Sequence, residues 1–443
     1  HNYLELSLDY AHAGFYEEAL TVMNIYTKDK SSLSPLAYYY MGWFAEQAKD
    51  EKQKAYYYKL ATQQNPDGCF PNKIEEVVIL QSAIKHNAAD AVAHYALGNL
   101  WYDKRQYTEA ISCWQQCIAA KDGFATAYRN LSLASYNKLK DTEKALSYLQ
   151  KAFELDATDA RVLMELDQLY KITGRSFAER LSFLDQYPAL ISDRDDLYLE
   201  KITLLNNTGG FEKAKELLAA RKFHPWEGGE GKVVGQFLLC YTSLAKKAIL
   251  AGNFKEAIGL LEATKQYPEN LGEGKLYGAQ ENDIHYLLGC AYEGLGEHAK
   301  AKQYFNEATK GISEPVQAIY YNDPQPDKIV YQALAWKKLG QPQQAEAIFK
   351  KFIDFGKQHL NDEIRIDYFA VSLPDMLVFD IDLNQRNEIH CVYLQALGYL
   401  GLGNEQKGIA LLNDVLKKDI NHQGAATHLK MIPFFIQGQT VPA

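Results

Sequence analysis

The sequence contains no run of eighteen consecutive apolar residues, which argues against a membrane-spanning helix. It contains no extended Lys/Arg run. The formal charge is −9, so nothing overall draws the chain to nucleic acid or anionic lipid. Cysteine is scarce: Cys69, Cys113, Cys117, Cys240, Cys290 and Cys391, with neither Cys-x-x-Cys spacing nor a dense framework. That excludes a disulfide scaffold and reads as reduced, mostly buried thiols. Cys113 and Cys117 share a helix face without a histidine beside them, so no metal site is expected. No Gly-x-Ser-x-Gly nucleophile motif occurs, and no catalytic residue or cofactor is assigned. His422 and His428, near the end, read as solvated. Reduced thiols point to the cytoplasm; a periplasmic setting stays open. Residue 1 is His and already sits in an apolar-periodic segment, so a longer parent chain is expected.

What is present is a repeat. In 91–125, Gly98 is followed by Trp101, Ala110 and Trp114. The offsets recur at Gly289, Tyr292, Gly296, Ala301, Phe305 and Ala308, and again at Ala333, Trp336, Gly340, Ala345, Phe349 and Phe352. Each unit has two apolar stripes of 3.6-residue period separated by a short turn. A small residue on the first helix faces a large one on the second, which lets two helices close without voids. Gly296 and Gly340 fall where a first helix ends, at a left-handed position. Weaker copies run from Gly14 to Leu412.

These residues resemble the tetratricopeptide repeat over most of the chain. The resemblance implies an all-α superhelical solenoid of about ten helical hairpins, right-handed and continuous. We divide it at 220/221, into a regular half, 1–220, and a half with inserted loops, 221–443.

Interruptions of the period mark the candidate sites, because insertions in a solenoid tend to emerge on a binding face. PWEGGEGK (225–232) and PENLGEGK (268–275) share one skeleton, 43 residues apart. They are not nucleotide-binding loops. Val233 and Leu276 stand where Ser or Thr must hold magnesium, and no strand precedes either copy. Both are inter-repeat loops, so they should lie side by side on one edge. Together they offer Trp226, Glu227, Glu230, Lys232, Glu269, Glu273 and Lys275, with Glu281, Asn282 and Asp283 nearby. Two readings follow. Glu–Lys pairs lock the loops to each other, or an aromatic platform with carboxylates takes a sugar or a polar peptide. A third interruption, 311–328 with 361–388, predicts an extra helix near 367–379 and an exposed pair, Tyr320 and Tyr321.

FHPWEGGEGK, YPENLGEGK and DYFAVSLPD add a narrower likeness. They are similar to the C-terminal repeat region of large bacterial proteins of unassigned function that carry an N-terminal, mutarotase-like β-domain. That implies a carbohydrate-associated parent and transfers no catalytic residue. The carboxylate-clamp subfamily of the repeat implies one further site. Its positions correspond to Tyr95, Asn99, Asn130, Arg161 and Glu165; the two Asn match, Arg161 replaces a Lys, and Tyr95 and Glu165 depart from the pattern. The functional expectation is a non-enzymatic scaffold for a protein, a peptide or another domain of the same polypeptide. The alternative is a helical region contributing to a carbohydrate site.

Overall fold

A computed structural model describes residues 2–28, 33–226, 228–319, 323–365 and 378–436. Among these the chain is all-helical, with 24 α-helices, one short 3-10 turn and no strand. Ten hairpins follow one another, from Asn2–His12 with Tyr16–Thr27 to Leu383–Gly401 with Glu405–Lys418. Packing divides the chain into two compact units, His1–Leu166 and Asp167–Ala443; the boundary falls inside helix Ala160–Ile172. Most of the helix expected near 367–379 lies outside the described residues, as do Tyr320 and Tyr321.

The small-against-large pairing builds each hairpin. A Cβ added at Gly98 would stand 2.5 Å from the Trp114 ring, and one at Gly289 would stand 2.5 Å from Phe305. Gly42 opposes Tyr58 in the same way. Ala110 and Ala345 have no accessible surface, and Ala301 has almost none. Burying a ring the size of Phe305 contributes roughly 1.5–3 kcal/mol.

Every hairpin turns through one left-handed residue. Seven are glycines, among them Gly252 (φ 77°), Gly296 (φ 77°) and Gly403 (φ 83°). The other three are Lys49 (φ 62°), Arg105 (φ 59°) and Lys140 (φ 55°). At most turns the next N–H reaches back to a carbonyl of the first helix, as Gln106 N does to Trp101 O (2.8 Å) and Glu297 N to Tyr292 O (2.9 Å). That bond satisfies a carbonyl the helix end would otherwise leave free.

Four further helices stand outside the hairpins: Glu75–His86, Pro188–Asp193, Gln423–Lys430 and Ile432–Ile436. Helix Lys232–Leu250 is long and apolar enough, by length and composition, to cross a bilayer, although no uninterrupted apolar run marks it. More than half of it is buried inside the second unit, where it is the first helix of a hairpin.

Candidate functional site

The two Gly-Glu-Gly-Lys loops do lie side by side. Phe223 N donates to Asn270 O (2.7 Å), and Asn270 Nδ2 donates to Leu218 O and Arg221 O, both at 2.8 Å. Gly272 (φ 77°) comes so near that a Cβ there would stand 2.7 Å from Phe223 O. The tie between the Gly-Glu-Gly-Lys segments themselves is Gly231 N donating to Glu273 Oε2 (2.9 Å). Burial pushes the Glu273 carboxyl above its ordinary range; the Glu230 charge adds to this and the Gly231 amide opposes it. Among the described residues the contact between the two segments is a carboxylate on a backbone amide. A Glu at the loop tip meets a free N–H at a helix start sooner than a long, hydrated ammonium.

The other residues of this set are spread among several tasks. Trp226 is half-buried against the core of Phe223, Val233 and Leu271, with its ring over Gly229. Glu230 is exposed, and Glu227 lies outside the described residues. Lys232 opens helix Lys232–Leu250, within electrostatic reach of Glu200. Lys275 pairs with Glu281 (2.7 Å) in its own segment. Asn282 Nδ2 donates to Ala308 O and Lys310 O, both at 2.8 Å, and Asp283 pairs with Lys328 (2.5 Å). Asn282 therefore closes its own hairpin, and Asp283 joins that hairpin to the next.

In the first unit the clamp positions form a ladder. Asn130 Nδ2 donates to Asn99 Oδ1 (3.0 Å), which also accepts from Trp114 Nε1 (3.2 Å); Asn99 Nδ2 donates to Cys69 O (3.3 Å). Glu165, nearly buried, accepts both branches of the Arg129 guanidinium, at 2.8 and 2.5 Å. Arg161 bonds Asp159 (3.2 Å), and Tyr95 is buried against Phe124, ring centres 4.8 Å apart. The two Asn bond each other, while Arg161 is engaged with its own helix start.

In the second unit the last described segment, 421–436, lies across the first helices. Arg180, fully buried between Asp167 and Glu200 (2.5 Å to each), donates through Nη1 to Asn421 Oδ1 (3.0 Å). Asn421 Nδ2 donates to Arg175 O (2.9 Å). Gln423 Oε1 accepts from Asn207 Nδ2 (3.2 Å) and Gln236 Nε2 (3.1 Å). Lys430 Nζ donates to Asn207 O (3.0 Å). Met431 Sδ accepts from Lys246 Nζ (3.1 Å) and Tyr331 OH (3.3 Å). Ala425, Met431, Phe434 and Phe435 join the hydrophobic core of the hairpins.

His428 is buried, at 2% exposure, with Nδ1 2.9 Å from both Tyr393 OH and Gly424 O. Burial lowers its pKa to about 4. His422 caps helix Gln423–Lys430 through Nδ1, accepting from Ala425 N (3.0 Å). Burial lowers its pKa too. The expectation that both are solvated is corrected: the histidines sit where the segment meets the hairpins. No sequence period marks such a contact. Burial also lowers Lys246, to about 8; its ammonium lies under Met431 and beside the Tyr331 ring. Among the described residues no cluster of His, Cys, Asp and Glu could hold a metal ion.

Ten hairpins with one recurring glycine-against-aromatic contact define an all-α helical-hairpin repeat protein. Family models described as tetratricopeptide repeat match residues 95–160 and 283–310, so these stretches are tetratricopeptide repeats. The two matches cover less than half of the chain. Among solved structures, residues 41 onward of MamA from Desulfovibrio magneticus RS-1 are 21% identical, covering 44% of this chain and 95% of that one, with a TM-score of 0.26. YrrB, a tetratricopeptide protein with an unusual peptide-binding site, is 14% identical over 52% of this chain and 90% of its own, with a TM-score of 0.29. A thermophilic tetratricopeptide protein of Thermus thermophilus is 16% identical over 46% and 97%, with a TM-score of 0.27.

Proposed function

We propose that the chain is a non-catalytic tetratricopeptide scaffold that holds a protein segment against the first helices of its hairpins. One observation carries this reading. In the second unit those helices already hold a segment, 421–436, through side chains aimed from several hairpins at once. Side chains fixed on packed helices need little ordering when a ligand docks, which favours peptide binding. The partner is a protein or peptide, and another domain of the same polypeptide, a mutarotase-like β-domain included, satisfies the same chemistry. The cytoplasm is the proposed compartment.

A saccharide site needs an open Trp226 face beside two unpaired carboxylates. Trp226 is half-buried and Glu273 is engaged, so this is the weaker reading. The test exposes the chain to a displayed peptide library and maps bound peptides by cross-linking. The same chain is titrated calorimetrically with an oligosaccharide panel. Cross-links to Asp195–Thr208, Lys232–Leu250 or Pro326–Lys338 are expected. Saccharide heats abolished by Trp226→Ala, with no peptide recovered, would replace the scaffold reading with the carbohydrate one.

A further inference from the structure

We infer that residues 421–436 are a releasable ligand held in cis, so that the peptide groove of the second unit is closed by the chain's own C-terminal segment. This rests on the scaffold reading and adds to it the identity of the occupant and the chemistry of whatever displaces it.

Three sets of observations support release. The first is the nature of the seat. Asn421 enters a polar cup in which its amide is read from both sides, by the Arg180 guanidinium and the Arg175 carbonyl. Arg180 is already neutralised by Asp167 and Glu200, so the cup keeps its shape without Asn421. Asn207 and Gln236 form a second amide cup around Gln423. Polar cups of this kind specify a ligand; a permanent core is filled more simply with apolar side chains.

The second is polar mismatch in the segment and near the residues that hold it. His428 Nε2, in the segment, and Asn206 Oδ1 and Asp283 Oδ1, on helices that carry its contact residue Asn207 or neighbour Lys246, are buried and receive no hydrogen bond from the described protein. Lys246 meets a thioether and an aromatic ring there, where a carboxylate would satisfy it better. A buried polar atom without a partner costs the closed state free energy that release to solvent would return.

The third is the segment itself. Its helices have eight and five residues, Gln423–Lys430 and Ile432–Ile436. Helices this short do not persist alone, so the segment folds as it docks. Only Asp419 and Ile420 join it to helix Glu405–Lys418.

A displacing partner is therefore a short amphipathic peptide with two side-chain amides, then Met and a Phe pair at the spacing of Asn421, Gln423, Met431, Phe434 and Phe435. The test uses the full chain and a labelled synthetic peptide of residues 421–436. A Met431→Lys/Phe435→Asp variant sets an ammonium against Lys246 and a carboxylate in the core, so it should expel the segment. Its circular dichroism reports whether the hairpins survive. The peptide should bind the variant at least tenfold more tightly than the unmodified chain. In the unmodified chain, hydrogen exchange should be faster in 424–436 than in Lys232–Leu250 and Pro326–Lys338 beneath it. Equal binding to both chains would overturn the closure and leave the scaffold reading intact. Binding to neither would remove the groove reading as well. Wholesale loss of helix in the variant, or exchange of 424–436 no faster than the helices beneath, would make the segment a fixed core element and overturn the inference.

Discussion

Lys49, Arg105 and Lys140 hold the same left-handed position that glycine holds in the other hairpin turns. A side chain there costs about 1–2 kcal/mol against glycine in the folded state. Glycine returns about 0.4–1 kcal/mol of that through the freer unfolded chain. Arg105→Gly and Lys140→Gly should each stabilise the chain by about 0.5–1 kcal/mol, read as a rise in denaturation midpoint; Gly296→Ala should lower it by a similar amount. A fall for both glycine variants would mean that the basic side chains hold these turns in some other way. Gly98→Ala acts through packing: its Cβ meets Trp114 head-on, and a loss of about 1–3 kcal/mol is expected.

His428 adds a pH dependence. Its pKa is about 4 when buried and about 6.5 when free. The buried state therefore binds fewer protons. Its stability is full above pH 6.5 and falls as the pH drops toward 4, by on the order of 3 kcal/mol. The groups facing it are Tyr393, Asp327, Lys246 and His422, and His422 is shifted in the same direction. Unfolding midpoints between pH 7 and 4.5 should fall more steeply in the parent than in His428→Gln; parallel curves would exclude the histidine as the source.

Among the elements, the paired loops give the clearest comparison between pattern and structure. Their adjacency was legible, because two loops entering and leaving one hairpin emerge on the same edge. The bond that ties them was not. A Glu in a glycine-rich loop can meet a lysine or an amide, and only the left-handed turn at Gly231 leaves its N–H pointing at Glu273. Glu273→Ala should destabilise the second unit by about 1 kcal/mol and speed exchange at the Gly231 amide. No change at that amide would mean that the loops are held by Asn270 alone. The hairpins were legible for a simpler reason. Gly98 with Trp114 and Gly289 with Phe305 are pairs at fixed offsets, and each offset is set by contact within one hairpin. Helix Glu75–His86 escaped notice because it interrupts the period without a loop-like composition.

At the scale of the molecule, what the sequence concealed is long-range. Asn421 bonds Arg180 and Arg175, more than 240 positions earlier, and no local period encodes that distance. Asn421, Gln423 and His428 sit in a polar C-terminal stretch that reads as solvent-facing until the hairpins are stacked. Asn99 and Asn130 bond each other, and Arg129, one residue from Asn130, neutralises Glu165 on the next first helix, a pairing that the clamp pattern did not contain. The order of the seat along the chain has a consequence in time. Synthesis runs from the N-terminus at about 5–20 residues per second, and domains fold as they emerge. All the hairpins that build the seat, from Ala160–Ile172 with Phe177–Leu184 to Leu383–Gly401 with Glu405–Lys418, leave the ribosome before residue 421 does. If 421–436 closes the groove as inferred, each new molecule presents it open for that interval, and a partner waiting at the ribosome meets no competitor until residues 421–436 arrive.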